Sequence, residues 1–171
     1  MLRDITWNGR PALLREMTMQ MQGFTLVDST ITDRVTLAPL AHRGRNPRRA
    51  LALDFAGARV TGTMTPVGAA PVPIDRTTPE PGFDSSGFDQ IAPALGLRAG
   101  ESVRLPAFVY EKPALQWYVV RATAGADGTL RLEIAEDAGV PFARLHIDPA
   151  TRRTLDYAFV FPNGRTLDRV P

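Results

Sequence analysis

The sequence predicts a mainly β protein, in which a strongly curved antiparallel sheet, a half-barrel of about eleven strands, wraps over one short helix. Residues 115–170 carry five short apolar runs separated by turn residues, as in an antiparallel meander. Within them, residues 130–134 (LRLEI) alternate apolar and charged side chains, which is the period of a strand with one solvated face. The dipeptides Asp127-Gly128 and Asn163-Gly164 favour the positive φ angles of tight hairpin turns.

The first half of the chain predicts further strands. Asn8-Gly9 is a hairpin signal, and residues 10–22 after it alternate in the manner of a strand. Three methionines, Met17, Met19 and Met21, share one face of this strand. Two interpretations stand: they fill a core-facing strand, or they form a flexible lining for an apolar ligand, because methionine adapts its shape to varied partners.

A basic segment, residues 42–50 (HRGRNPRRA), follows a predicted strand at residues 36–40. Its glycine and Asn-Pro content predicts a loop between strands. This loop is either a solvated hairpin loop or a contact for an anion or a membrane headgroup. No aromatic residue is interleaved with the basic ones, which argues against stacking on single-stranded nucleic acid. The predicted anion or headgroup contacts are Arg43, Arg45, Arg48 and Arg49.

A proline-rich segment and a helix follow. Five prolines in residues 66–82 exclude a central strand or helix, although Val72 and Ile74 are compatible with an edge strand. Residues 83–100 then predict the one short helix, with Ser85 or Ser86 as its N-cap. Its expected end is marked by Gly96, a favourable C-cap residue.

Composition bounds the classes of function. The length of 171 residues predicts a single β-rich domain over residues 1–171, and the opening residues, read as a strand entered partway, suggest a fragment lacking N-terminal residues. A net charge of +2 without a concentrated basic face predicts no nucleic-acid partner. The chain has no cysteine, which excludes disulfides, thiolate catalysis and cysteine metal sites.

Neither histidine is placed for metal binding, and no cofactor is predicted. His42 and His146 have no second histidine or carboxylate at the sequence spacing of zinc ligands, so a structural histidine is the default interpretation for both. None of the serines lies in a nucleophile motif, and no phosphate-binding loop occurs. The sequence therefore names no catalytic residue and favours a protein that is not an enzyme.

The C-terminal half is rich in aromatic residues. Together with the methionines of the early strand they predict either an apolar ligand groove in a curved sheet or a packed core beneath the helix. The predicted lining of this groove consists of Met17, Met19, Met21, Trp117, Tyr157 and Phe159.

The order of elements resembles a known family. A strand-rich first half is followed by FDSSGFDQIAPALGL, then by GESVRLPAF, a meander and HIDPATRRTLDYAFVFPNGRTL. This order resembles bacterial envelope proteins similar to the lipoprotein carriers LolA and LolB, whose half-barrel is closed by helices. The resemblance implies a half-barrel fold, a lipid-like ligand and a place in the periplasm or cell envelope; the alternative location is the cytoplasm.

Three functions are compatible with these features. The first is a non-enzymatic binding module that holds a lipid-like or other apolar ligand in the concave face of the half-barrel, with peripheral membrane contact. The second is a structural or interaction domain with a filled core, which binds partners through a sheet edge or the arginine-rich loop. The third is an enzyme without a recognisable motif. The sequence does not indicate the oligomeric state.

Overall fold

The computed structural model describes residues 1–21, 23–110, 113–137, 139–160 and 166–169. They form fourteen strands, one short α-helix, α1 (Phe88–Ala94), and a single 3-10 turn at Ala126–Gly128. The strands are β1 (Leu2–Trp7), β2 (Arg10–Met21), β3 (Phe24–Asp33), β4 (Pro39–Asn46), β5 (Arg49–Ala56), β6 (Arg59–Pro66), β7 (Val72–Thr77), β8 (Phe83–Asp84), β9 (Ser102–Val109), β10 (Ala114–Ala124), β11 (Leu130–Glu136), β12 (Pro141–Ile147), β13 (Thr154–Val160) and β14 (Thr166–Arg169).

These strands form two sheets of seven strands each. The first sheet has the order β1-β2-β3-β4-β5-β6-β7, and the second has the order β14-β13-β12-β11-β10-β9-β8. Both orders follow the chain, so each sheet is a meander of neighbouring hairpins, and the pairings described by residue are antiparallel. The second sheet is curled as a half-barrel. The mainly β, antiparallel half-barrel class is confirmed, with more strands than the sequence predicts and a division into two sheets.

The chain forms two compact units. The first unit comprises Met1–Ser85 and Phe108–Leu115, and the second comprises Ser86–Ala107 and Gln116–Pro171. The first unit therefore contains the first sheet together with β8 and the end of β9. The expectation of a single domain stays a prediction.

The core of the first unit lies on the inner face of β5 and β6. Alternate residues of β5, from Leu51 to Phe55, are buried, while the residues between them are half-buried or exposed. The ring of Phe55 meets that of Phe108 edge to face, with centroids 5.9 Å apart. Such aromatic pairs add about 1 kcal/mol beyond the area they bury. The buried members of this core are Leu51, Leu53, Phe55, Val60, Ile74, Phe108 and Tyr110.

In the second unit, the helix packs on the half-barrel sheet. Phe88 of α1 is buried, and its ring lies 4.9 Å from that of Tyr118 and 5.9 Å from that of Phe142, centroid to centroid. Tyr118 and Phe142 also meet edge to face at 5.5 Å. The three rings anchor α1 against β10 and β12, which confirms the prediction of a sheet wrapped over one short helix.

Turn chemistry is largely as predicted. Asn8 and Gly9 have φ angles of 48° and 77° between β1 and β2, and Asp127 and Gly128 have φ angles of 56° and 74° between β10 and β11. Positive φ is the conformation that these residue types adopt at least cost. The predicted Asn163-Gly164 turn lies outside the described residues.

Two predictions of strand bounds are wrong. Residues 42–50 are mostly strand, because β4 continues to Asn46 and β5 begins at Arg49. The connection is this short because Asn46 Oδ1 accepts hydrogen bonds from the backbone N–H groups of Arg48 (2.8 Å) and Arg49 (3.0 Å). The predicted strand at 36–40 instead begins at Pro39, because Asp33 Oδ1 closes a turn on the N–H groups of residues 35 and 36.

The helix and the proline-rich segment also differ in detail. Gly87 is the N-cap of α1, with no side-chain cap, so neither Ser85 nor Ser86 has the predicted role. Gly96 follows the end of the helix with a φ of 69°, as a glycine at that place should. Val72 and Ile74 lie in β7, the edge strand of the first sheet, as the proline content predicts.

A tight turn built on Asp148 joins β12 to β13. Asp148 Oδ1 accepts from the N–H of Ala150 at 2.8 Å, and Oδ2 accepts from the Thr151 hydroxyl at 2.9 Å. The hydrogen bonds from Ala150 and Thr151 hold the pKa of Asp148 below its usual value. The turn ends at Arg152, whose guanidinium donates to the carbonyls of Leu97 (2.8 Å) and Gly96 (2.9 Å) just after α1. The D-x-x-T-R segment thus has a structural role.

Gly62 of β6 is expected to tolerate no side chain. Its φ is 148°, and a Cβ there would lie 2.0 Å from the carbonyl oxygen of Ala52 on β5. Gly62→Ala should lower the free energy of unfolding by about 2 to 4 kcal/mol, because backbone has to move and φ is strained. The control is Gly57→Ala, also at positive φ but with nothing within 4 Å, which should cost about 1 kcal/mol. Equal losses in urea unfolding would contradict the steric argument.

Arg152 is expected to stabilise the fold through the two hydrogen bonds that its guanidinium donates. Arg152→Lys keeps the charge but loses one of the two carbonyl contacts, so thermal unfolding should show a loss of about 1 to 2 kcal/mol. Arg153→Lys, at the exposed neighbouring position, is the matched control and should be neutral. A neutral Arg152→Lys variant would show that the contacts to residues 96 and 97 do not stabilise the fold.

Candidate binding site in the first sheet

Strand register gathers distant polar residues of the first unit. Residues directly opposite one another in an antiparallel pair share a face of the sheet, with Cβ atoms about 5 Å apart. Arg15 of β2 pairs with Thr30 of β3, and Thr30 pairs with His42 of β4. All three are buried, and this row of polar side chains continues into the apolar core at Leu53 of β5.

A second row runs parallel to the first, one pleat further along the strands. Met17 pairs with Asp28, and Asp28 with Gly44, which in turn faces Leu51 of β5. Met17 and Asp28 are 5% and 7% exposed, so the row places a carboxylate beside a thioether in the interior of the first unit. Beyond them, half-buried Met19 lies opposite Leu26.

His42 is held between two carboxylates. Its Nδ1 lies 3.0 Å from Asp84 Oδ2, and its Nε2 lies 3.5 Å from Asp28 Oδ2. The Tyr110 hydroxyl donates to the other oxygen of Asp84, and its ring centroid lies 4.4 Å from that of the imidazole. The hydroxyl of Thr30 donates to Asp84 Oδ2 at 3.0 Å. Three donors thus meet one carboxylate that is 1% exposed, as burial of a charge requires.

A buried arginine neighbours the second carboxylate. Arg15 is 4% exposed, and its Nη1 lies 3.7 Å from Asp28 Oδ1. Its Nη2 donates to the sulfur of Met17 at 3.4 Å. The first of the three methionines predicted to share a strand face thus packs on a cation. Asp28 therefore lies between Arg15 and His42 and is the charge that links them.

These contacts set the pKa of His42. Burial, the largest single influence, acts to lower the pKa, and the charge of Arg15 acts in the same direction. The hydrogen bond to Asp84 and the negative charges of Asp84 and Asp28 outweigh them, so the pKa of His42 is raised above its usual value. This environment therefore favours the protonated form of His42 more than water does.

A pocket of about 130 Å³ lies beside this cluster in the first unit. Apolar side chains from β3 and β5, Leu26 and Leu51, line part of it, and Arg45 and Arg49 line another part. Arg49 is half-buried and donates to the sulfur of Met64 at 3.8 Å. The pocket therefore combines apolar surface with positive charge.

Most of the remaining lining comes from His42 and the residues around it. His42, Asp28 and Tyr110 contribute to it together with Gly44. A Cβ at Gly44 would lie 3.0 Å from His42 Nε2 and 3.6 Å from Asp28 Oδ2. Gly44 puts no side chain against the Nε2 edge of the imidazole, which is buried and contacts Asp28. The pocket lining thus brings apolar surface, guanidinium groups and a titratable imidazole together.

The four predicted arginines have different surroundings. Arg45 and Arg49 line the pocket, whereas Arg48 is exposed in the turn between β4 and β5. Arg43 pairs with Asp54 across the strands at 2.7 Å, and it also donates to the carbonyls of His42 (2.8 Å) and Leu53. Two of the four are thus placed beside a cavity.

The predicted apolar lining is divided between the two units. Met17 and Met19 lie in the first unit as described above, and the side chain of Met21 lies outside what is described. Tyr157 is buried in the second unit, with its ring 4.8 Å from that of half-buried Phe159. The remaining member, half-buried Trp117, is described next.

A surface arginine covers Trp117 in the second unit. The guanidinium carbon of Arg104 lies 4.2 Å from the ring centroid of Trp117, a cation–π distance. The same guanidinium makes two hydrogen bonds to Asp137, at 2.9 Å and 2.6 Å. The indole face is therefore in contact with a charged group of its own unit.

The sequence analysis missed the site formed around His42. Asp84 is 42 residues from His42, and Tyr110 is 68 residues away, so spacing along the chain carries no sign of their contact. A signal was present, however, at Arg15, which lies on the methionine face of β2, where a charge conflicts with a core position. Such a residue predicts a buried partner but does not identify it.

The comparisons with known proteins place the chain in a family. A family model described as "Protein of unknown function (DUF3108)" matches residues 1–155, which is most of the sequence. The chain belongs to the DUF3108 family. The residues matched to DUF3108 include all those of the site around His42. No curated protein and no solved structure matches the chain.

Within the described ranges, no group of three or more histidine, cysteine, aspartate or glutamate side chains is arranged to hold a metal ion. In the same part of the chain, no helix has the length and apolar character needed to cross a membrane.

The raised pKa of His42 predicts pH-dependent stability. Its contribution is fully present below the pKa of an unfolded histidine, about 6.5, and is lost as the pH rises through the higher folded value. The free energy of unfolding, measured in urea, should therefore fall as the pH rises above about 6.5, until folded His42 has lost its proton.

The variant His42→Gln should abolish this fall. It should also lower stability at acidic pH by about 3 to 5 kcal/mol, because it leaves buried carboxylates without their cation. His146→Gln is the matched control, since it removes the other histidine, which contacts Asp156 at 2.8 Å. A pH dependence that disappears with His146→Gln and persists with His42→Gln would overturn the assignment.

Proposed function

We propose that the chain is a non-enzymatic binding module for a lipid-like or other apolar ligand. The observation that carries this proposal is the pocket of the first unit, in which Leu26 and Leu51 provide apolar surface. Met19 lies directly across from Leu26, and Met64 directly across from Leu51, so flexible thioether side chains border that surface. Methionines of this kind adapt to ligands of varied shape.

The size of the pocket limits what enters it. Its volume of about 130 Å³ is similar to that of an apolar cavity that binds benzene. A drug-sized ligand normally needs roughly 300 Å³ or more. The pocket therefore suits one end of a lipid-like molecule, and the rest of that molecule has to lie outside it.

The predicted aromatic residues extend the proposal to the second unit. Trp117 and Phe159 are half-buried and Tyr157 is buried on the half-barrel sheet, and we propose that they contact ligand of the same class. The resemblance to the LolA and LolB carriers supports this use of a half-barrel. It is also the basis for proposing a location in the periplasm or cell envelope, with peripheral membrane contact.

The decisive experiment compares two neighbouring positions of β3. Leu26→Gln places a polar group in the pocket, whereas Val27→Gln changes a side chain that is 49% exposed on the other face of the strand. The proteins are purified from a bacterial host, and co-purifying molecules are measured by native mass spectrometry and organic extraction. We expect Leu26→Gln to lose at least about half of the bound apolar ligand, because burial of apolar surface drives its binding.

The control variant and the outcomes that contradict the proposed function are as follows. Val27→Gln should retain the ligand at the wild-type level. An apo wild-type mass, with no binding of a fluorescent apolar probe, would overturn the proposed function. Equal loss from both variants would show that the ligand is held elsewhere.

A second candidate function is an enzyme that uses His42 as a general acid. The supporting observation is that Asp84 contacts Nδ1 while Nε2 lies beside the pocket, an arrangement that orients an imidazole for proton transfer. The pocket lining given by the described residues contains no serine, threonine, cysteine or lysine nucleophile. Recovery of a co-purified ligand in chemically altered form after incubation would favour this candidate, and unchanged recovery would favour binding.

A further inference from the structure

We propose that the pocket recognises the carboxylate of an amphipathic anion, and that binding of this anion is coupled to protonation of His42. The inference rests on the proposed binding function and deepens it, since it names the chemical class of the ligand end that enters the pocket and a regulator of its affinity. It stands on the geometry of the pocket and of the charges around it.

The charges around the pocket favour an anion. Arg45 and Arg49 belong to its lining, and the buried Arg15 lies behind Asp28. Among the described residues, the site has three guanidinium groups, of Arg15, Arg45 and Arg49, and two carboxylates, of Asp28 and Asp84, so these groups sum to a positive charge even with a neutral imidazole. Protonation of His42 adds one more positive charge. An anion entering from solvent therefore meets an attractive potential.

The carboxylate of Asp28 does not repel such a ligand strongly, because its charge is already balanced. One of its oxygens lies 3.7 Å from Arg15, and the other lies 3.5 Å from His42. Arg49 lines the same pocket and also donates to the thioether of Met64. Its planar guanidinium is suited to bidentate recognition of a carboxylate.

The position of Gly44 connects the anion to the proton. A side chain there would cover His42 Nε2, and without one the imidazole edge adjoins the pocket. A carboxylate bound beside Nε2 stabilises the protonated imidazole, and by reciprocity the protonated imidazole binds the carboxylate more tightly. The groups that face His42 are Asp84 of β8, Asp28 of β3, Arg15 of β2 and Tyr110 after β9, with Arg45 of β4 and Arg49 of β5 at the pocket.

The apolar part of the lining selects the rest of the ligand. Leu26 and Leu51 provide no partner for a second charged group. A carboxylate on an aliphatic chain satisfies both parts of the lining, whereas inorganic phosphate satisfies only the cationic part. Hexanoate is therefore the probe of choice, and hexanol is its uncharged counterpart.

The test is isothermal titration calorimetry of the full chain with hexanoate and hexanol. Hexanoate stays ionised between about pH 6 and about pH 9, because carboxyl groups have pKa values near 4. We expect its affinity to fall at least about tenfold over this range as His42 loses its proton, and that of hexanol to stay constant. Titrations in buffers of different ionisation enthalpy should show proton uptake with hexanoate.

Substitutions test which residues are responsible for hexanoate binding and for its pH dependence. Arg49→Gln should weaken hexanoate binding about tenfold and leave hexanol binding unchanged. Arg48→Gln, an exposed arginine in the same turn, is the matched control and should behave as the wild type. His42→Gln should remove the pH dependence. If that variant does not fold, the proton count on the wild-type chain tests the coupling by itself.

The outcomes separate this inference from the proposed function. Hexanol binding as tight as that of hexanoate, with no effect of pH, would overturn the anion site and leave the binding module intact. Binding of neither probe would overturn both. Inorganic phosphate binding as tightly as hexanoate would overturn the carboxylate class, and hexanoate binding without proton uptake would overturn the coupling.

Discussion

A histidine between two carboxylates is the interaction on which the inner face of the first unit depends. His42 contacts Asp84 through Nδ1 and Asp28 through Nε2, and Arg15 neighbours the second oxygen of Asp28. Each of these groups is almost wholly buried, and a buried charge is tolerated only beside a partner. Because the four residues come from four strands, the cluster favours the strand register that brings them together.

The free energy needed to bury these charges is relevant to the function of the cluster. A buried ion-pair network is a weak source of stability, and apolar residues of the same volume often perform as well or better. The network nonetheless borders a cavity, and Gly44 puts no side chain against the Nε2 edge of the buried imidazole. A titratable group with a perturbed pKa at a pocket is the arrangement expected of a ligand site. The proposed binding function explains why charge is kept in this interior.

The second unit is stabilised in a different way. Its helix is anchored by the rings of Phe88, Tyr118 and Phe142, and its largest buried side chains are apolar. Polar groups close its turn after β12, where Asp148 and Arg152 make their hydrogen bonds, and pair across its strands, as His146 and Asp156 do. The two units thus have different interiors, one charged and titratable and the other rich in aromatic rings.

Local patterns in the sequence were sufficient to predict the class of fold and most of the turns. Alternation along a strand and positive φ at Asn8-Gly9 depend on neighbours in the chain, and these features were predicted. The predicted loop at residues 42–50 was wrong, because the side chain of Asn46 closes a shorter turn than its composition suggests. Met17 was predicted to share a face with Met19 and Met21, but its contact with the guanidinium of Arg15 was not predicted.

By itself, the sequence determined the β class, the region of the single helix and the alternation of several strands, since these follow from short-range periodicity. Only the tertiary structure decided that His42 meets Asp84 and Tyr110, and that Arg49 and Leu26 line one pocket. The physical reason is register. Contacts across a sheet depend on how strands separated by tens of residues are aligned, and a shift of one residue would turn every one of these side chains to the opposite face.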